Sequence, residues 1–331
     1  MYDDACGYIK WICDRRPNKL SEVYNLLLTL RNWMLQEQPI GVITYTHYAN
    51  VIGQFLAWSV GIRYRLATQR NPSWSYPFGV RLLDKLWGTV GIYTANIYVS
   101  QSVANSFGKY PNRYRSRSRI VLNGLRIPRP SLSREEARQK LAIPPDAVVV
   151  VNVGRLAPQK NQEVLISAIA KIPNENVILL IAGDGELRSE LSVLVDLYGL
   201  KRRVRFLGEL PPSEIPDLLV SSDIFAFPSR YEAFGFALVE AMMLGLPVLV
   251  SDIAAHKEVV GDAGVFLPTN DPRAWSEAIM LLSEDVELRK RLGMRAKERA
   301  ALYTLDSMVD GYLEALFGGD DNASGFARHY R

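Results

Sequence analysis

The run Asp223-Ile224-Phe225-Ala226-Phe227-Pro228-Ser229-Arg230-Tyr231-Glu232-Ala233-Phe234-Gly235-Phe236-Ala237-Leu238-Val239-Glu240 decides the fold. Ile224 to Phe227 is a short, wholly apolar run closed by a proline, which reads as a buried strand. A turn built on Phe234-Gly235-Phe236 follows, and a helix-like run begins there. Strand, turn and helix in immediate succession form one unit of a parallel α/β sheet. Such a turn offers backbone N–H groups at a helix N-terminus, a natural seat for phosphate. Glu232 stands in the turn, and Glu240 lies about a turn and a half inside the helix, at about 3.6 residues per turn. Two carboxylates around a phosphate seat suit a nucleotide-sugar, which has hydroxyls at both ends and a diphosphate between.

The same alternation extends through the second half of the chain. Ala147–Val153, Val177–Ala182, Val204–Leu207, Pro247–Ser251 and Val265–Leu267 read as further strands. Asn161–Ile172, Glu186–Tyr198 and Ser213–Ser221 read as helices, the last with Ser213 as N-cap. These elements predict a doubly wound parallel sheet, whose ligands sit beyond the carboxyl ends of the strands. The first half reads as strands Ile40–Thr46, Tyr64–Gln69, Ala95–Ser100 and Arg119–Leu122, with helices Leu20–Gln36, Tyr48–Val60 and Val80–Val90. Prolines 128, 130, 144 and 145 mark a connecting zone around a short helix, Arg134–Leu141. Helices Trp275–Leu282, Val286–Tyr303 and Leu305–Phe317 close the pattern. The expected domains are 1–128, 129–317 with its last helices packing back on the first domain, and a loose tail 318–331.

At 331 residues the chain has room for about two domains. Its two cysteines, Cys6 and Cys13, make a disulfide framework unexpected and point to a cytoplasmic setting. The N-terminus lacks the basic and apolar pattern of a secretory leader, and no apolar run is long enough to span a bilayer. The net charge of +4 conceals an asymmetry: residues 1–130 carry 17 basic and 6 acidic side chains, and the remainder carries 22 and 29. A basic half rich in tryptophan (Trp11, Trp33, Trp58, Trp74, Trp87) fits peripheral contact with an anionic membrane, or else a solvated surface over amphipathic helices whose cores hold the tryptophans. No nucleic-acid reading motif accompanies the charge, so nucleic acid is not an expected partner.

Gly154-Arg155-Leu156-Ala157-Pro158-Gln159-Lys160-Asn161 joins the first strand of the second half to its helix. Arg155 and Lys160 there would clamp a diphosphate, and Gly183-Asp184-Gly185 closes the next strand. Breaking a sugar–phosphate bond leaves charge on the departing diphosphate, which fixed cations and backbone dipoles stabilise best in the transition state. Together with Phe206-Leu207-Gly208, Pro228-Ser229, the Glu232–Glu240 pair with Phe234-Gly235, and Gly245-Leu246-Pro247-Val248, these motifs resemble the donor domain of GT-B glycosyltransferases. The likeness is greatest to the retaining, glycosyl group-1 type, family 4, and runs from Val148 to Phe317.

The resemblance implies an α/β GT-B fold of two Rossmann-like, doubly wound parallel-sheet domains. It implies catalytic roles for Glu232, Arg155 and Lys160, with the two cations on the diphosphate and Glu232 on the donor sugar. Gly154, Gly183, Leu207, Phe234, Gly235, Phe236, Ala237 and Leu238 would line the donor site, Leu207 lying against the base. Glu240 would bind the ribose diol. It further implies a UDP- or GDP-sugar donor, transfer with retention to an acceptor that is lipid-linked or part of polysaccharide biosynthesis, no cofactor and no metal. Ile43 to Asn50 is similar to the family's strand that ends in Thr-His, with Ala-Asn on the next helix, and His47 there either faces the cleft or is a structural cap. Arg70 stands where many members carry a histidine. The family's opening strand, glycine-rich turn and helix have no counterpart in residues 1–31, so the first domain is expected to be incomplete. The alternative reading is a catalytically inactive relative that binds nucleotide or a partner.

Overall fold

The computed structural model describes residues 19–232 and 234–318; the expectations for Cys6 to Cys13 and for the tail beyond Gly318 lie outside them. The elements run, in order, α1 (Leu20–Glu37), β1 (Gly41–Thr44), α2 (His47–Ser59), β2 (Tyr64–Gln69), α3 (Phe78–Val90), β3 (Ala95–Tyr98), α4 (Gln101–Ser106), α5 (Asn112–Arg115) and β4 (Ser118–Ile120). There follow α6 (Arg134–Lys140), β5 (Val148–Val153), α7 (Gln162–Ile169), β6 (Val177–Ala182), α8 (Arg188–Leu197), β7 (Val204–Gly208), α9 (Ile215–Val220) and β8 (Ile224–Phe227). The chain continues through α10 (Phe236–Met243), β9 (Val248–Ser251), α11 (Ala254–Val260), β10 (Val265–Leu267), α12 (Pro272–Glu284), α13 (Val286–Ala300) and α14 (Leu305–Phe317). The described residues form two compact units, one of 19–121 together with 310–318, the other within 122–309.

In the second unit six parallel strands lie in the order β10-β9-β8-β5-β6-β7. Read in chain order this is the doubly wound arrangement, and its winding reverses between β5 and β8. Side chains alternate across the sheet with a period of two. Val149, Val151, Phe225, Phe227, Val248 and Val250 join one core, and Val150, Leu179, Ile181, Ile224, Ala226 and Leu249 join the other. Burial on both faces explains why these strands read as unbroken apolar runs. Several helix boundaries differ from the sequence reading, two of them for a visible reason. Glu214, not Ser213, is the N-cap residue of α9, without a side-chain cap bond, and Pro216 lies in the first turn. The long helix from Val286 stops at Ala300, and Ala301–Tyr303 tightens into a 3-10 turn that buries Tyr303.

The first unit holds a four-stranded parallel sheet in the order β1-β2-β3-β4. Its interior is unusually polar. Gln54 Nε2 donates to Thr44 Oγ1 at 2.9 Å, Thr44 Oγ1 to Asn50 Oδ1 at 2.7 Å, and Asn50 Nδ2 to Gln69 Oε1 at 3.3 Å. The amide of Gln69 then donates to Asp84 Oδ1 at 2.8 Å, and Tyr114 Oη to Asp84 Oδ2 at 3.0 Å. Burial raises the Asp84 carboxyl to about 6, against the opposing pull of the hydrogen bonds from Gln69, Tyr114 and Tyr93. Beside this chain lies an aromatic core containing Tyr76, Tyr93, Tyr98, Phe107, Tyr110 and Tyr114. Among the described residues no helix is long and apolar enough to cross a membrane.

Candidate functional site

The site is assembled at the carboxyl ends of β5, β6, β7 and β8. The loop after β5 and the loop after β6 are joined by the backbone: Gly154 N–H donates to Ala182 O at 2.9 Å, Leu156 N–H to Asp184 O at 3.0 Å, and Leu187 N–H to Leu156 O at 3.1 Å. Such close approach leaves no room for a side chain at Gly183. Its φ is +132°, and a Cβ there would collide with the Gly154 carbonyl. The Asp184 side chain closes its own turn by accepting from Gly185 N–H at 2.7 Å.

A cavity of about 510 Å³ opens at this junction, lined by Gly154, Arg155, Gly183–Gly185, Glu209, Leu210 and Ile215, with Val153 and Ala182 at its floor. Three of the expected site residues, Gly154, Arg155 and Gly183, therefore share one cavity. Glu209, Leu210 and Ile215 were not expected; the first two come from the connection between β7 and α9 and the third opens α9, a stretch that carries no motif. Arg155 has a side chain that is 71% exposed and pairs with Glu186 at 3.0 Å. Leu207 is half-buried on β7, next to Phe206, whose ring lies 4.3 Å beneath the Arg188 guanidinium.

The loops after β5 and β8 are laced together on either side of the reversal in strand order. Arg230 N–H donates to Gln159 O at 2.8 Å, Gln159 Nε2 to Tyr231 O at 2.9 Å, and Arg230 pairs with Glu163 at 2.6 Å. Between them the Lys160 ammonium and the Glu232 carboxylate form a close ion pair, with side chains only 18% and 8% exposed. The ammonium also lies 4.9 Å from the centre of the Phe227 ring. Asn161 turns the chain into α7 from a left-handed conformation, φ 55°, and its amide reaches Thr269 O at 2.8 Å.

Gly235, with φ +91°, is the N-cap residue of α10. The N–H groups of Phe236 and Ala237 are the helix's first two and have no acceptor within it, whereas Leu238 N–H donates to Gly235 O at 3.1 Å and the Leu238 side chain belongs to the core. Phe234 is buried against Phe236 and Tyr303, and Phe236 is exposed. Glu240 follows on the same helix, half-buried, and burial raises its carboxyl above the ordinary range.

His256, the first buried residue of α11, packs against Phe227 at 5.4 Å. Its Nδ1 lies 2.9 Å from Ser251 O. A carbonyl only accepts, so Nδ1 carries the proton. Burial lowers the imidazole's proton affinity, partly offset by that hydrogen bond, and its Nε2 has no partner among the described residues. In the first unit His47 is not a cap: Thr46 is the N-cap residue of α2, accepting from Ala49 N–H at 3.3 Å, and the His47 ring stacks on Tyr76 at 4.9 Å. Among the described residues no three His, Cys, Asp or Glu side chains gather closely enough to hold a metal ion.

The second unit is a doubly wound α/β sheet with glycines at its strand tips and a cation–carboxylate pair at the reversal point, the place where sheets of this kind hold their ligands. The model of the family "Glycosyl transferases group 1" matches residues 133–299, half of the chain, and the chain belongs to that family. It is 32% identical over 209 residues to a D-inositol 3-phosphate glycosyltransferase of Corynebacterium glutamicum (strain R), covering 59% of this chain and 50% of that protein. It is 35% identical over 177 residues to the corresponding protein of Corynebacterium efficiens, covering 50% and 42%. The chain thus spans about half the length of the curated relatives it matches. The fold is similar to that of Anabaena Alr3699/HepE, solved in complex with UDP, with a TM-score of 0.79, 22% identity and coverage of 90% and 83%. It is also similar to WaaG, a glycosyltransferase involved in lipopolysaccharide biosynthesis, with a TM-score of 0.67, 18% identity and coverage of 93% and 86%. Two α/β units with all-parallel sheets and these likenesses give the GT-B fold class expected from the motifs.

Proposed function

We propose that the chain transfers a sugar from UDP- or GDP-sugar to an acceptor hydroxyl, with retention at the anomeric carbon. The observation that carries this reading is the Lys160–Glu232 pair at the reversal of strand order, with Lys160 on the same loop as Gly154 and Arg155, which line the cavity. The diphosphate lies against Arg155, Lys160 and the first amides of α10. The donor sugar's hydroxyls donate to Glu232, the ribose diol to Glu240, and the base rests near Leu207. As the C1–O bond to the diphosphate breaks, negative charge grows on the leaving oxygen, where two cations and a helix N-terminus meet it. The acceptor oxygen bonds to C1 on the same face, and its proton passes to the departing phosphate oxygen. Two guanidinium and ammonium groups offset the diphosphate charge, so this scheme uses no metal and no cofactor. The two cysteines favour a cytoplasmic setting. In this reading the acceptor is lipid-linked or part of a polysaccharide.

The test is to incubate the purified chain with UDP- and GDP-hexoses, measure nucleoside diphosphate release, and follow the anomeric configuration of the product by NMR. Release abolished by Glu232→Ala or Lys160→Ala supports the reading. Tight UDP or GDP binding by calorimetry without turnover on any donor supports a non-catalytic nucleotide binder instead. Turnover that both substitutions leave unchanged removes the assignment.

A further inference from the structure

Helices α2 and α3 of the first unit are inverted relative to ordinary surface helices. A surface helix buries its apolar stripe and shows its polar side. Here α2 buries Asn50 and Gln54 completely, beside Val51 and Ala57, and shows Ile52, Phe55 and Trp58 to solvent. The buried residues of α3 are Asp84, 1% exposed, and Gly88, while Phe78, Leu82, Leu86 and Val90 are exposed. Steps of four place these last residues on one stripe of the helix. The two outward stripes are neighbours, because the Phe55 ring stacks on Trp87 of α3 at 5.3 Å. Trp74, just before α3, is 72% exposed, and Phe78, the first residue of the helix, is 74% exposed. Large aromatic side chains shown to this extent, together and on one side, mark a contact surface.

Charge identifies what the surface fits. Between residues 38 and 130 there are twelve Lys and Arg and a single acidic residue, Asp84, which is the buried one. Arg81 and Lys85 flank the apolar stripe of α3, Arg81 5.9 Å from the Phe78 ring and Lys85 5.8 Å from the Tyr110 ring. The stretch therefore offers tryptophan, phenylalanine and leucine bordered by cations, with no exposed carboxylate. That is the composition of a helix face that lies in the headgroup layer of an anionic bilayer. We propose that the outward face of α2 and α3, with Trp74 and Phe78 at its leading edge, docks on an anionic lipid surface. Apolar side chains enter the acyl boundary, and Arg81 and Lys85 meet lipid phosphates. The inference stands independently of the transferase reading, since no residue of the second unit takes part.

The test is flotation of the full chain with phosphatidylcholine vesicles, with and without phosphatidylglycerol, at low and high salt. Binding is expected with phosphatidylglycerol, weakened by salt. Arg81→Glu with Lys85→Glu should lower the partition coefficient by more than about tenfold, since each cation near the surface is worth about fivefold. Phe78→Ser with Leu82→Ser should lower it comparably while leaving the melting temperature and nucleotide binding intact, which distinguishes lost docking from lost folding. No flotation with anionic vesicles, or flotation indifferent to both double substitutions, overturns the proposal. So does a dimer in solution that Phe78→Ser with Leu82→Ser dissociates while wild-type chain fails to bind vesicles, for the face then serves a second copy.

Discussion

The Lys160–Glu232 pair allows a test in which stability and catalysis part company. Both groups are largely buried, at 18% and 8% side-chain exposure. Removing one partner alone leaves an uncompensated buried charge, at a cost of about 3–5 kcal/mol. Replacing both by neutral side chains of similar size removes the attraction and both desolvation penalties together, a change that is often nearly neutral. Lys160→Met and Glu232→Gln should therefore each destabilise the second unit, and the double variant should recover most of the loss. The expected coupling is about 2–3 kcal/mol, measured from urea unfolding of the four proteins. Turnover should behave differently. Lys160 is assigned to the charge that grows on the diphosphate, and loss of one such group costs roughly 10²–10³ in kcat. Restoring the fold with Glu232→Gln does not restore that charge, so the double variant should stay as inactive as the singles. Additive stabilities would show that the two groups do not form a pair in solution. A double variant that regains turnover would show that Lys160 acts only through the fold.

Four further outcomes follow from the geometry. Gly183→Ala places a Cβ against the Gly154 carbonyl at φ +132°, so it should cost more than about 2 kcal/mol and weaken UDP or GDP binding in calorimetry. Gly199→Ala, also at positive φ but with open space around it, should cost only about 1 kcal/mol. The Asp84 carboxyl is raised from 3.8 to about 6, so the stability it contributes is fully present below pH 3.8 and lost as pH rises through 6. Asp84→Asn, tolerated if the Tyr114 hydroxyl turns to accept, should be more stable than wild type at pH 7.5 by up to about 3 kcal/mol, with the gap closing near pH 4. His256 behaves with the opposite sign. Its folded-state affinity for protons lies below the ordinary 6.5, so the second unit should lose stability as pH falls below 6.5, and His256→Gln should remove that dependence in a melting series from pH 5 to 8.

Much of the second unit was legible because its strands are buried on both faces. Val177–Ala182, Ile224–Phe227 and Val265–Leu267 end where their apolar runs end. The short helices α4, α5 and α11 escaped notice because four to seven residues show too little of a helical period. The site was legible where backbone geometry demands particular residues, as at Gly183 and Gly235. Its far wall was not. Glu209, Leu210 and Ile215 are brought to the cavity by the path of the chain after β7, and nothing in their spacing says so. The pairing of Lys160 with Glu232 joins residues on separate loops, 72 positions apart, which only the strand order brings together. The inward turn of Asn50, Gln54 and Asp84 was also hidden. Periodicity gives two stripes on each helix, and the usual rule assigns the apolar one to the core.

That inversion reaches into the thermodynamics of the whole molecule. Unfolding the second unit hydrates the Val, Ile and Leu of two cores, which raises the heat capacity, whereas exposing amide, hydroxyl and carboxyl groups lowers it. The first unit, with its interior of Thr44, Asn50, Gln54, Gln69 and Asp84, should take up less heat capacity per residue when it melts. Its free energy of unfolding then traces a flatter arc with temperature, and cooling should weaken the second unit before the first.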